Sequence, residues 1–136
     1  MQFTQDELDA LLKKPKPLNL AGADLSKADL SGVDLSGAYL NAAKLRYADL
    51  SKANLSDTNL SGANLHGATL VGADLSDASL HGADLSGTKL NSAHLNFTDL
   101  VDAILSGADL SGARYNKDTK WPDDFDLEAA GAILEE

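Results

Sequence analysis

Histidine, serine and aspartate supply the reactive side chains of this chain. His66, His81 and His94 could ligate a metal if the fold gathered them. Serine is abundant, yet no G-x-S-x-G elbow surrounds any copy and no Ser/His/Asp constellation is visible. Glycines recur singly, not in the clusters that cradle phosphates. Without cysteine, thiol chemistry and disulfides are excluded, and the redox compartment is left open. These residues predict no catalytic centre, no cofactor and no resident metal. What remains is a surface, and its layout depends on how the chain is wound.

Length and composition narrow the possibilities. The 136 residues suit a single domain, 1–136. Hydrophobic residues make up 43% of the chain but only seven residues are aromatic, so the core must come mainly from Leu and Ala. No apolar run approaches the roughly 20 residues of a membrane span. The start, Met1-Gln2-Phe3-Thr4-Gln5-Asp6, lacks the basic and apolar stretches of a secretion signal. A soluble, cytoplasmic protein with no membrane partner is the expectation. The net charge is −10. Residues 1–17 are balanced, 18–113 carry eleven acids against five bases, and 114–136 add a further −4. That balance argues against direct nucleic acid binding, which needs an excess of Lys and Arg.

Leucine occupies every fifth position from Leu20 to Leu110, nineteen times in phase, with a small residue two places earlier. Steps of five turn about 500° on an α-helix and leave no stripe. On a continuous strand an odd step sends alternate leucines to opposite faces. A chain that bends once per repeat buries them all. Ala and Leu then line the inside of a short edge, and Ser-Gly pairs such as Ser31-Gly32 and Ser86-Gly87 make the corners. Lys27, Tyr47, Asp57, Asp77 and Phe97 stand where glycine is usual and predict a different turn geometry there. One edge buries too little to offset its own ordering, so stability must come from stacking.

Units such as Ala23-Asp24-Leu25, Ala48-Asp49-Leu50 and Ala108-Asp109-Leu110 resemble the A-(D/N)-L-X-X consensus of the pentapeptide-repeat family, over about residues 16–115. The resemblance implies an all-β solenoid, a right-handed quadrilateral parallel β-helix of four repeats per coil and nearly five coils. Its coils would stack about 4.8 Å apart. Residues 1–17 and 116–136 would be helical caps on the 18–115 solenoid. At the front, Thr4 and Glu7 match a capping box, Phe3 and Leu8 a hydrophobic staple, and a helix should run from about Gln5 to Lys14. At the back, Tyr115 ends the beat. Asp126 is placed to cap a helix over Leu127–Leu134, and the segment from Thr119 to Asp126 resembles a tail of some family members from photosynthetic bacteria.

With 20 residues per coil, the three histidines fall on different faces and cannot share a metal. Asp29 lies over Asp49 and Asp57 over Asp77, pairs able to attract a cation. The Leu30 and Leu35 faces carry Asp29, Asp34, Asp49, Asp57, Asp74, Asp77 and Asp109 against Lys52 and Lys89, an acidic edge. Lys27, Tyr39, Lys44, Arg46 and Tyr47 cluster on the Leu20 and Leu25 faces. With Phe97, which falls near the C-terminal tail, they are the candidate protein-contact residues.

The expected function is a non-enzymatic, monomeric scaffold that presents this surface to an unidentified protein partner. Two alternatives follow. Some family members mimic DNA and bind DNA gyrase or topoisomerase, which the acidic edge would suit. A cation-binding module would use the stacked aspartates.

Overall fold

The computed structural model describes residues 1–123 and 125–136; Asp124, within the acidic tail segment, lies outside them. From Leu18 onward every five residues make one short edge and one corner. Leu25 N–H donates to the Lys44 carbonyl at 2.7 Å, and Lys44 N–H returns a bond to Ala23 at 2.9 Å. Parallel bridges of this kind run from Asn19↔Tyr39 to His94↔Arg114, always 20 residues apart. Four units therefore complete a coil. The four faces are named here for Leu20, Leu25, Leu30 and Leu35.

All nineteen in-phase leucines are buried, and together with the alanines two places earlier they form one continuous core. Burial of each such side chain contributes about 1.5–3 kcal/mol. Thr58, Thr88 and Thr98 replace alanine without leaving a polar orphan. Their hydroxyls donate to the carbonyls of Leu55, Leu65 and Leu75 at 2.7, 3.1 and 2.8 Å.

Two devices build the corners. The first is a left-handed residue at the second corner position. Glycines such as Gly22 sit there at φ 69°, but Lys27 (63°), Tyr47 (58°), Asp57 (59°), Asp77 (61°) and Phe97 (60°) adopt the same conformation. The expected difference in turn geometry is therefore corrected. Ala23 N–H closes the turn onto Leu20 O, and Gly22 N–H binds Asn41 O on the next coil. With Lys27 and Ala28 making the equivalent bonds, the stack dictates the corner and the residue conforms, at a cost of about 1–2 kcal/mol for a side chain bearing Cβ.

The second device is the Asp or Asn that precedes twelve of the nineteen in-phase leucines. Its Oδ1 accepts the amide two residues on, as in Asp49 from Ser51 N–H at 3.0 Å and Asn54 from Ser56 N–H at 3.0 Å. Among the described residues twelve corners from Asn19 to Asp109 carry this bond. The serine hydroxyl often adds a second one, as Ser51 Oγ to Asp49 at 2.6 Å.

The ends depart from the beat. Helix α1 spans Gln5–Leu12, two residues shorter than the expected stretch, because Lys13 closes it. Its capping box is complete: Glu7 N–H donates to Thr4 Oγ1, and Thr4 N–H to Glu7 Oε1. Leu8 is fully buried in the same core as the coil leucines. Gln2 pairs with Asp24 through its amide and its side chain. At the other end, Asp99 bridges Lys120, a spacing of 21, so one extra residue enters the last coil. Trp121 then follows the Lys120 bridge as Leu100 follows Asp99, and it stacks on Phe125 and meets Tyr115 edge-on.

Asp126 does cap a helix, but α2 covers only Leu127–Ala130 before Gly131 turns it at φ 75°. The expected helical continuation to Leu134 is corrected. Ile133–Leu134 forms a strand, β2, parallel to β1 (Arg114–Tyr115). Ala132-Ile133-Leu134 is another repeat unit, out of phase, laid on the last coil.

Candidate interaction face

Most acids of the expected acidic edge are part of the corners. Asp29, Asp34, Asp49, Asp74 and Asp109 each accept the amide of the serine two residues on. Asp57 and Asp77 occupy left-handed corner positions, which Asp tolerates better than most residues. Hydrogen bonds from Ser31 hold the Asp29 carboxyl below its usual range. Asp34 falls to about 2, first through Lys16, whose ammonium lies 2.5 Å away, then through Ser36. Asp109 also falls to about 2, through the Asn91 side chain, then Ser111, then the charge of Lys89. Asp29 and Asp49 stack as expected, with their Oδ1 atoms engaged by serines.

Lys27, Lys44, Arg46 and Tyr47 come together on the Leu25 face. Tyr39 is half exposed on the Leu20 face, one corner away, where it bridges Asn19 and Asn59. Phe97 is not with them. It sits on the Leu35 column beside a groove of about 490 Å³ lined by Asn116, Lys117, Asp118 and Leu134.

Around Tyr47 the left-handed corner is kept, but its glycine and its side-chain acceptor are both replaced, as they are again from Lys89 to Phe97. Tyr39 and Lys44 stand where Asp or Asn would accept the corner amide, and Ala42 and Tyr47 stand where glycine is usual. Arg46 replaces the serine. Tyr47 holds a left-handed backbone and lays its ring over Gly67 one coil behind, where an added Cβ would come within 2.4 Å of the ring. The Arg46 guanidinium lies 5.7 Å from the ring centre, and His66 meets the ring edge-on at 5.5 Å.

The sequence reading missed His66, Ser86 and Asp84 as a group. His66 Nδ1 is 2.8 Å from Ser86 Oγ, and Ser86 Oγ–H donates to Asp84 Oδ1 at 2.6 Å. The 20-residue separation of His66 and Ser86 was the available signal. The order is not that of a nucleophilic triad, because the serine proton is held by the aspartate and not by the imidazole. Ser86, through its hydroxyl and then its amide, keeps the Asp84 carboxyl below its usual range, with smaller help from the charges of His66 and Arg46. Among the described residues no group of three or more His, Cys, Asp or Glu could hold a metal ion, and no helix is long and apolar enough to cross a membrane.

The pentapeptide repeats family model matches residues 19–57, 38–77, 58–96 and 78–114. The chain belongs to the pentapeptide repeat family. It is similar to the crystal structure of alr5209, a pentapeptide repeat protein from Nostoc Pcc 7120. The identity is 38% over 86% of this chain and 84% of that one, with a TM-score of 0.56. Rfr23, from the cyanobacterium Cyanothece 51142, shares 34% identity over 80% and 67% of the two chains at a TM-score of 0.62. A pentapeptide repeat protein from the Arabidopsis thaliana thylakoid lumen shares 33% over 72% and 68%, at 0.56. None of the curated proteins matches this sequence. With these relatives, the stacked coils are those of a right-handed β-helical solenoid.

Proposed function

We propose that this pentapeptide repeat protein is a non-enzymatic, monomeric scaffold for protein–protein contact, a four-sided rod closed by α1 and by residues 116–136. Its contact surface is the Leu25 face around Tyr47, with Tyr39 at its margin. One observation carries the reading: two successive corners, from Tyr39 to Tyr47, give up both the acceptor and the glycine on an open face, whereas the other stretch that does so, Lys89 to Phe97, is met by the C-terminal tail, where Asn116 Oδ1 accepts the Phe97 amide. Sites that break a local rule without a stabilising return are where function resides. Lys27, Lys44 and Arg46 make no ion pair among the described residues, whereas Lys16 is paired with Asp34. Serine chemistry is disfavoured because the Ser86 proton already has a carboxylate acceptor. DNA mimicry is the weaker reading, since Lys52 and Lys89 interrupt the aspartates of the Leu30 face.

Photo-cross-linkers placed at Lys27 or Tyr39 should capture a discrete partner in native extract. A cross-linker at Asp57, on the Leu35 column, should not. The Arg46→Glu change should remove the product. Equal capture from both faces, or capture insensitive to Arg46→Glu, would reject the assignment.

A further inference from the structure

The Leu25 face is the one face of the 18–113 solenoid with more bases than acids. Lys27, Lys44 and Arg46 stand against Asp24 and Asp84, whereas the Leu35 column has Asp34, Asp57, Asp74 and Asp77 with no base in that span. The two acids of the Leu25 face are also drawn inward: Asp24 accepts from Ser26 N–H, and Asp84 from both the amide and hydroxyl of Ser86. An acidic molecule thus keeps a local positive pole, and it lies beside an exposed aromatic ring.

His66 belongs to that pole. Ser86 Oγ has a single hydrogen and gives it to Asp84, so the 2.8 Å contact with His66 requires Nδ1–H to be the donor. Nδ1 therefore carries the proton of the neutral ring, and Nε2 is the nitrogen left open to a second one. The charged and titratable groups around His66 are Lys44, Arg46 and Tyr47 on the coil in front and Asp84 on the coil behind. Ser86 links it to Asp84, which is ionised across the neutral range.

Resting on the proposed contact face, we infer that its partner supplies a carboxylate-rich segment, received by Arg46, Lys44 and Lys27, and that protonation of His66 tightens this grip. Guanidinium binds carboxylate through paired, charge-assisted hydrogen bonds, which suits Arg46 as the anchor. Imidazole is the side chain that changes charge nearest neutral pH, and a protonated His66 is a fourth cation on this face. Glu and Asp side chains on a partner remain ionised near neutral pH.

The test uses the full chain and a fluorescein-labelled peptide of eight glutamates, followed by anisotropy at low salt. Binding should be at least about threefold tighter at pH 6 than at pH 8, which is within what one added charge supplies near a surface. His66→Gln should bind equally at both pH values, and Arg46→Ala should weaken binding at both. Imidazole nitrogen NMR at pH 8 should show Nδ1 protonated and Nε2 bare in the wild type. A bare Nδ1, a pH response that survives in His66→Gln, or no peptide binding at either pH overturns the inference. A single-stranded oligonucleotide of equal charge that binds more tightly than the peptide overturns it as well. None of these failures touches the cross-linking result, so the contact face itself stands or falls separately.

Discussion

The Leu25 and Leu35 faces share one interior and differ in the charge they present and in where their corners are interrupted. Both bury an unbroken leucine column, and both are tied to their neighbours by the same amide-to-carbonyl bonds. On the Leu35 face Asp34, Asn54 and Asp74 hold successive corners through their serines. On the Leu25 face Asp24 and Asp84 do so and Asn64 holds the amide of His66, but Lys44, followed by Arg46 and Tyr47, interrupts the column near its start, whereas the Leu35 column is interrupted only at His94, beside the C-terminal tail. The rod therefore tolerates the loss of a whole corner set in one coil. The consequence is that stability and surface chemistry are separable here: the core fixes the register, and the corners can be exchanged for function.

The sharpest way to break the comparison is at the glycines. An added methyl at Gly37, on the Leu35 column, meets nothing within 4 Å but must hold φ +69°. Gly37→Ala should cost about 1–2 kcal/mol from that conformation alone. At Gly67 the same conformational cost applies, and the methyl also strikes the Tyr47 ring. Gly67→Ala should cost roughly a further 0.5–1 kcal/mol in lost packing and displace Tyr47. Urea denaturation measures both, and in a Tyr47→Ala background the two substitutions should cost the same. If Gly67→Ala stays the costlier there, Tyr47 is not what occupies the space.

Repairing the Leu25 face should then give the opposite sign. Lys44→Asn with Tyr47→Gly restores a corner acceptor and a residue at ease with positive φ. A net gain of about 1 kcal/mol is expected, since the returned corner bond and relieved strain outweigh the packing of the Tyr47 ring over Gly67. The repaired protein should melt higher and lose its cross-linking partner. A repaired protein that is less stable would mean the Arg46–Tyr47–His66 stack holds the rod together.

The architecture was legible because nineteen leucines in phase admit few windings, and the family resemblance gave four units per coil. The role of aspartate was not, because a periodic acid reads as surface charge until its Oδ1 is seen on the amide two residues on. The turn at Lys27 or Phe97 departs from residue preference for a related reason: hydrogen bonds from the adjacent coil, or from Asn116 at Phe97, impose the left-handed corner. Trp121 and Leu134 read from the sequence as members of an apolar cluster closing the end, not as coil positions, because one extra residue shifts the phase after Arg114. His66 and Ser86 become neighbours only when the 20-residue register is applied side chain by side chain, since neither residue type marks a corner partner by itself.

A smaller effect separates the charge of the aspartates from their hydrogen bonding. Asp74→Ala removes the acceptor for Ser76 N–H and should cost about 0.5–1.5 kcal/mol. Asp74→Asn keeps an oxygen in place and should change stability by less than roughly 0.5 kcal/mol, as Asn54 already shows to be compatible with the corner. If Asn is as damaging as Ala, the carboxylate charge and not the corner bond matters on the Leu35 face.

The gentlest test is acid. Asp34 and Asp109 have folded-state values near 2, below the ordinary 3.8, so the folded chain holds the carboxylate more firmly than the unfolded chain does. Their contribution is therefore complete above about pH 4 and is lost as the pH falls through about 2. The urea midpoint of the wild type should decline across that interval. Asp34→Asn keeps an oxygen for Ser36 N–H but has no anion for Lys16, so its midpoint should start lower at pH 5 and fall less steeply. Both carboxylates are exposed, and salt should shrink the difference for Asp34 because part of it is an ion pair at the surface. Tyr47→Gly on the Leu25 face removes no charge and should leave the acid slope as it was. An equal slope in wild type and Asp34→Asn would show that the Lys16–Asp34 pair does not form in solution, and that the acids of the Leu35 face act as corner acceptors only.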